Sequence, residues 1–218
     1  MKMLIIVPTR GRPENAARLW KAFADTDTQA DVVFCVDDDD TELANYNALG
    51  LPLWVGPRKR LVGTLNEVSA FFTSDFDIIG FLGDDTLPKE KNWDQQIVDS
   101  FQKNMVAYGN DGHQGEGLPT GVFLDSGIVK TLGHMVPPTF IHLFADNYWK
   151  ALGEALGTLT YLPDLDIEHL HPYAGKAEHD KTYEEANAGP VWDNDERAFH
   201  EYVGNQLSKD VEKLRKGV

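Results

Sequence analysis

Asp77-Ile78-Ile79-Gly80-Phe81-Leu82-Gly83-Asp84-Asp85-Thr86-Leu87-Pro88 decides how the chain is read. Ile78 to Leu82 is an unbroken apolar run, too short for a helix and bounded by Gly83 and Pro88, which predicts a strand buried on both faces. It ends in two adjacent carboxylates, Asp84 and Asp85. Open α/β sheets bind ligands at the carboxyl ends of such strands. Charged residues are usually exposed, so a solvated loop is the plain alternative. Drawn inward, the pair would need a cation, a metal or water, because unpaired buried charge is costly.

Working toward the N-terminus, the same form recurs. Leu4 to Val7 is an apolar strand followed by Pro8-Thr9-Arg10-Gly11-Arg12-Pro13. Pro13 suits a first helical turn, and Ala16, Leu19, Trp20 and Phe23 recur at helical spacing. Arg10 and Arg12 at a strand end can clamp phosphate by bidentate hydrogen bonds, although a solvent-facing arginine is commoner. Asp31 to Val36 is a second strand, followed by the acids Asp37, Asp38, Asp39 and Asp40. Acids favour a helix N-terminus, which suits Asp40 ahead of a short helix over Thr41 to Leu49. One or two of the four could instead bind a ribose or base, and Asp37 is equally open to either role.

Leu53-Trp54-Val55 is a third strand, and Gly56-Pro57-Arg58-Lys59-Arg60 after it is the only dense basic cluster of the chain. It opens a helix over Leu61 to Phe72, with Leu61, Leu65, Val68 and Phe72 on one face. Cations there oppose the helix dipole, so a bound anion accounts for Arg58 and Arg60 better than helix stability does. Strands alternating with helices predict a parallel α/β sheet with the four loops at one edge. That edge would collect Arg10, Arg12, Asp37, Asp39, Arg58, Arg60, Asp84 and Asp85. Such mixed signs fit a metal-bound diphosphate nucleotide better than either sign alone.

Composition sets the outer bounds. The 218 residues, 42% hydrophobic, suffice for one domain with a sizeable core. A formal charge of -15 opposes any broad grip on nucleic acid or an anionic membrane. The one cysteine, Cys35, excludes an intrachain disulfide and a cysteine-rich zinc site. Met3 to Val7 is far too short for a membrane span, and a cytoplasmic protein is expected.

Beyond Pro88, a helix is expected over Trp93 to Gln102, a strand over Met105 to Tyr108, and a glycine-rich connection from Gly109 to Gly117 without phosphate-loop spacing. That connection reads as a mobile substrate-side loop or a plain linker. Gly121 to Leu124 is extended, Ser126 to Leu132 a helix closed by Gly133, and Phe144 to Leu156 a helix stopped by Gly157. In the last of these, Asp146 or Asn147 reads as an N-cap. Thr158 to Leu162 and Leu165 to Leu170 read as two strands. His169 and His171, two apart on an extended segment, point the same way, which suits one imidazole joining carboxylates on a hard metal. From Ala174 the chain turns polar. A terminal helix over Asp195 to Leu214 is left to pack on the core, mediate oligomerisation or fold over a ligand.

With these residues in hand, the chain resembles the nucleotide-sugar glycosyltransferases of the A-type fold, nearest the large inverting family two group. The likeness runs from about Met3 to Pro172. It rests on Ile-Ile-Val-Pro-Thr-Arg-Gly-Arg-Pro, Val36-Asp37-Asp38, Arg58 to Asn66, Phe81-Leu82-Gly83-Asp84-Asp85, Gly121-Val122-Phe123, Phe144-Ala145-Asp146-Asn147 and the closing His-Leu-His-Pro. It implies a single Rossmann-like, mixed but mostly parallel sheet flanked by helices, with residues 1–173 as the catalytic domain and 174–218 as a polar extension ending in a helix. It further implies that Pro8, Thr9, Arg10 and Arg12 border the nucleotide and that Asp37 or Asp39 meets its base or ribose. Arg58 and Arg60 join that set. Asp84 and Asp85 take the place of the family's D-x-D element, with Asp85 holding Mn²⁺ or Mg²⁺. His169 or His171 supplies a further ligand, and Asp146 is the acceptor-activating carboxylate. Two departures stand out: Gly83-Asp84-Asp85 replaces a D-x-D, and Ala145 stands where an acid often precedes the base.

The resulting expectation is metal-dependent transfer of a hexose from a nucleotide sugar, with UDP as the expected nucleotide, to an acceptor hydroxyl with inversion. The alternatives are a nucleotidyltransferase acting on sugar phosphates and a non-catalytic nucleotide-sugar-binding module. The acceptor is left open among protein, glycan, small molecule and modified nucleic acid base.

Overall fold

The computed structural model describes residues 1–170, 175 and 180–217. The first half alternates strand and helix as expected. β1 (Met3–Thr9) leads to α1 (Pro13–Asp25), β2 (Asp31–Asp37) to α2 (Leu43–Ala48), β3 (Leu53–Gly56) to α3 (Arg60–Phe72), and then comes β4 (Ile78–Phe81). These four strands are mutually parallel in the order β3-β2-β1-β4, so their carboxyl ends share one edge. All four residues of β4 are buried. Gly80 is required there, because a Cβ would stand 2.6 Å from the Phe123 ring.

The second half adds β5 (Thr86–Pro88), α4 (Trp93–Asp99), β6 (Val106–Asn110), β7 (Val122–Asp125), α5 (Ser126–Leu132), α6 (Ala145–Leu156) and β8 (Leu159–His169). It completes one sheet of order β3-β2-β1-β4-β7-β6-β8-β5, in which β7 is antiparallel to β4 and β6, and β5 is antiparallel to β8. The architecture is the mixed, mostly parallel α/β sheet expected from the alternation.

Alternation along β1 divides the core. Leu4 and Ile6 face a cluster that includes Val62, Leu65 and Val68 of α3 and Trp149 of α6. Met3, Ile5 and Val7 face Leu19 and Phe23 of α1 and Trp93 and Ile97 of α4. Each fully buried side chain of this size contributes about 1.5–3 kcal/mol, so both layers hold the sheet's edge in place. Trp20, assigned to the apolar stripe of α1, is instead 38% exposed and meets Phe34 edge-on.

Two expectations are corrected. The two strands over Thr158–Leu162 and Leu165–Leu170 are one, β8, whose pairing with β6 skips from Leu162 to Asp166. The looped-out Leu165 lies against Gly109, where a Cβ would stand 2.4 Å from its carbonyl oxygen. The single terminal helix is two, α8 (Gly189–Asn205) and α9 (Leu207–Lys216), preceded by a short α7 (Lys181–Ala186). Leu207, Val211 and Leu214 of α9 are buried in the cluster that holds α5 and α6 residues, so the chain's end packs on the core. Beyond these corrections, β5 is a short strand that the sequence reading did not foresee, and it ends at Pro88, which pairs with Ile167 at the sheet's last strand. There a missing N–H costs nothing.

Candidate functional site

The parallel strands deliver their loops to one rim. β1 ends at Thr9, whose hydroxyl donates to Asp84 Oδ2 at 2.6 Å and shares a 2.9 Å hydrogen bond with the Tyr46 hydroxyl. Arg12 Nη1 is 3.4 Å from the other Asp84 oxygen, and its backbone N–H donates to Tyr46 at 2.8 Å. Asp84 is 4% exposed, so the acid is drawn inward rather than solvated. Burial, and then the neighbouring Asp85 charge, push its carboxyl up, while Arg12 and Thr9 oppose that rise.

Asp85 turns the other way. Its Oδ1 is 3.5 Å from His169 Nε2, and His169 Nδ1 is 3.9 Å from Asp111 Oδ2. Burial works against the Asp85 anion, but the His169 contact and charge hold its carboxyl below the usual range. Burial likewise works against charged His169, yet Asp111 and Asp85 raise it to about 9. Gly83 permits this arrangement, since a Cβ there would stand 2.6 Å from Asp85 Oδ1.

The arginines meet acids from several loops. Arg10 Nη1 donates to Asp37 at 2.8 Å and to Asp39 at 2.5 Å. Arg58 Nε lies 3.9 Å from Asp37, and Arg58 Nη2 donates to Glu185 at 2.5 Å. Arg12 grips Asp180 through two 2.6 Å hydrogen bonds, from Nε and Nη2. Arg60 opens α3 in the left-handed region at φ 57°.

A cavity of about 330 Å³ opens among these groups. Pro8, Thr9, Arg10, Arg12, Asp37, Arg58, Arg60, Asp84, Asp85, Asp146 and His169 all line it, so residues far apart in sequence converge as expected. Asp39 is set back at the exposed rim and reaches the cavity only through Arg10. His171 lies outside the described residues. Asp40 stands ahead of α2 as expected, but buried, and it accepts from the Gly11 and Glu42 backbone N–H groups at 2.8 and 2.9 Å.

Asp146 sits in the first turn of α6, with Oδ1 accepting from Asn147 N at 2.8 Å. It is not the N-cap, which is Phe144 in the left-handed region at φ 63°. Burial raises its carboxyl above the ordinary range. The loop leading into α6 is tied down from a distance by Asp195 of α8. That fully buried carboxylate accepts the Ile141, His142 and Leu143 backbone N–H groups at 2.8, 2.8 and 2.7 Å.

Asp111 has a similar part in the glycine-rich connection. Its Oδ1 accepts from the backbone N–H of His113, Gln114 and Gly115, and its Oδ2 from the Thr120 hydroxyl at 2.9 Å. The connection is thus pinned beside His169, which fits the plain linker of its two readings. Sequence reasoning missed Asp111, Asp180, Glu185 and Asp195 as groups of the site. Asp180 had a local signal, because it caps α7 through the Tyr183 N–H at 2.8 Å. Asp111 had one too, since an Asp ahead of Gly-rich sequence favours a turn onto the backbone N–H groups that follow it; Glu185 and Asp195 had none, since they act across the fold.

Among the described residues, no group of three or more His, Cys, Asp or Glu is placed to hold a metal ion. The residues present do suit a hard divalent cation held in part by a ligand. Mg²⁺ is usually bound through one or two carboxylates together with substrate phosphates. Asp85, with His169 once its imidazole gives up its proton as the cation binds, supplies that partial set in the lining of an arginine-rich cavity. Asp84, committed to Thr9 and Arg12, is less available.

No protein-family model matches the sequence, and no curated protein matches it significantly. Solved structures do match in shape. A mannosyltransferase from Pyrobaculum calidifontis, in complex with GDP-Man and Mn²⁺, superposes with a TM-score of 0.61 at 11% identity, covering 99% of this chain and 73% of that one. Glucosyl-3-phosphoglycerate synthase from Mycobacterium tuberculosis, in complex with Mn²⁺, uridine diphosphate and phosphoglyceric acid, gives 0.58 at 10% identity, covering 88% and 76%. A cytidylyltransferase from Leptospira borgpetersenii gives 0.53 at 14% identity, covering 75% of each chain. At such identities the likeness is one of fold, and the fold is that of the A-type nucleotide-sugar glycosyltransferases.

Proposed function

We propose that this chain is a metal-dependent glycosyltransferase that moves a hexose from a nucleotide sugar, UDP-linked, to an acceptor hydroxyl with inversion. The observation that carries the reading is the convergence of Asp85, His169, four arginines and the half-buried Asp146 on one cavity at the carboxyl ends of parallel strands. The fold shared with the mannosyltransferase and the glucosyl-3-phosphoglycerate synthase supports it. Fold alone does not select an activity.

On this reading the donor diphosphate lies toward Arg10, Arg12 and Arg58, with Pro8 and Thr9 beside the nucleotide and Asp37 or Asp39 toward its ribose or base. Asp85 and His169 would hold Mn²⁺ or Mg²⁺, which offsets negative charge on the departing diphosphate. The arginines add to that stabilisation from the protein side. Asp146 takes the proton from the acceptor hydroxyl as its oxygen attacks the anomeric carbon, the sugar-to-phosphate bond breaking on the opposite face. General-base help of this kind is worth roughly a hundred to ten-thousand-fold. A carboxyl raised by burial is the stronger base for it. Residues 1–173 would then carry donor and metal chemistry, and 174–218 would form an extension bordering the same cavity. No helix of the described residues is long and apolar enough to cross a membrane.

The test is a panel of nucleotide sugars with Mn²⁺, screened by thermal shift and followed by product analysis. Release of a nucleoside diphosphate, abolished in Asp85→Ala, is the expected result. The cytidylyltransferase fold match favours a second reading, a nucleotidyltransferase acting on sugar phosphates. Pyrophosphate release from a nucleoside triphosphate would select it, and a product of retained anomeric configuration would overturn the inverting mechanism.

A further inference from the structure

Four arginines line the cavity and are the groups an anionic ligand needs, and two of them, Arg12 and Arg58, are already held by carboxylates from one short segment. Asp180 caps α7, six residues long, and Glu185 lies in its last turn; they reach Arg12 and Arg58. The Asp180 contact is a two-pronged pairing at 2.6 Å, the geometry in which a guanidinium also binds a phosphate. Between them Thr182 donates to the Arg10 carbonyl at 3.1 Å. Thr182, Tyr183, Glu185, Ala186 and Asn187 line the cavity, so α7 forms part of its wall.

We infer that α7 is an autoinhibitory strap: Asp180 and Glu185 occupy Arg12 and Arg58 in place of the phosphates of a diphosphate ligand, which must displace them to bind. The inference rests on the reading of the cavity as a nucleoside diphosphate site. Its physical basis is competition for the same donors. The N–H groups that already donate to a carboxylate cannot donate to a phosphate along the same edge of the guanidinium, so a ligand that uses those edges requires the strap to let go. The free energy of the two ion pairs is then subtracted from the ligand's binding. Both pairs are partly exposed, with side-chain exposures of 19% and 43% for Arg12 and Asp180 and of 32% and 38% for Arg58 and Glu185. The penalty is therefore modest and reversible, as a gate requires.

The experiment compares wild type with Asp180→Asn/Glu185→Gln by titration calorimetry, using inorganic pyrophosphate and, separately, uridine diphosphate, each with Mn²⁺. Asparagine is itself a good N-cap, so α7 keeps its start while losing the charge. A control of equal charge change, Asp25→Asn/Glu212→Gln, alters acids exposed on other helices. The expected result is affinity about tenfold tighter in the strap variant, by a similar factor for both probes, with little change in the control. Unchanged or weaker binding in the strap variant, or an equal gain in the control, would overturn the strap while leaving the cavity reading intact. Failure of wild type, control and strap variant to bind either probe would overturn both.

Discussion

Asp195→Ala is the perturbation whose cost the structure states most directly. The Asp195 carboxylate is fully buried and accepts three backbone N–H groups, from Ile141, His142 and Leu143, at 2.7 to 2.8 Å. Hydrogen bonds to a charged group are worth about 1.5–3 kcal/mol each, and a buried donor left unsatisfied costs about 1–3 kcal/mol. These effects overlap rather than add, and water can reach the partly exposed loop, so the expected loss is about 3–5 kcal/mol, as for other broken buried charge networks. Asp195→Asn keeps an accepting oxygen but turns an amide N–H₂ toward one donor, for about half that loss. Urea unfolding gives the stability change, and amide exchange at His142 and Leu143 localises it. Because this loop enters α6 ahead of Asp146, Asp195→Asn is also expected to slow transfer more than it weakens donor binding. A loss under about 1 kcal/mol in Asp195→Ala, with unaltered exchange at both amides, would refute the reasoning.

Asp146→Asn is expected to bind donor as wild type does, to lose transfer by roughly a hundredfold or more, and to melt at higher temperature. The sign follows from its carboxyl, which folding raises: the folded state holds the proton more tightly than the unfolded chain, so above that range the charged form works against folding. A lower melting temperature for the variant would contradict this. The transfer rate should fall on the acid side as Asp146 takes up its proton, at a pH above the ordinary carboxylate range, and a pH–rate profile measured between 4 and 8 reads that limb. Gly109→Ala sets a Cβ 2.4 Å from the Leu165 carbonyl oxygen, and should cost about 1–3 kcal/mol in denaturant unfolding.

Much of the donor-side geometry is legible in the residues themselves. A run such as Ile78 to Leu82 can only be a buried strand, and three strand-and-helix units before it force the loops after Thr9, Asp37, Gly56 and Phe81 to a common edge. Hydrophobic period and parallel topology are local or nearly local properties, so Arg10, Arg12, Asp37, Arg58, Asp84 and Asp85 could be placed together from their positions alone. The closing glycines Gly133 and Gly157 were likewise readable, because each stands in the left-handed region that ends its helix.

What only the tertiary structure decided is which charge meets which. Asp84 and Asp85 are chemically the same and adjacent, yet one points to Thr9 and Arg12 and the other to His169. That division follows from side-chain direction at a strand end, and no spacing rule reaches it. Asp195, Asp180 and Glu185 lie far along the chain from the backbone and arginines they hold, 54, 168 and 127 residues respectively. Pairings of that length are selected by the packing of α7 and α8 against the finished sheet. The sequence by itself therefore determined the sheet, its ligand-binding edge and the residues gathered there; folding alone determined their partners, since electrostatic pairing depends on distances that exist only once the core has closed.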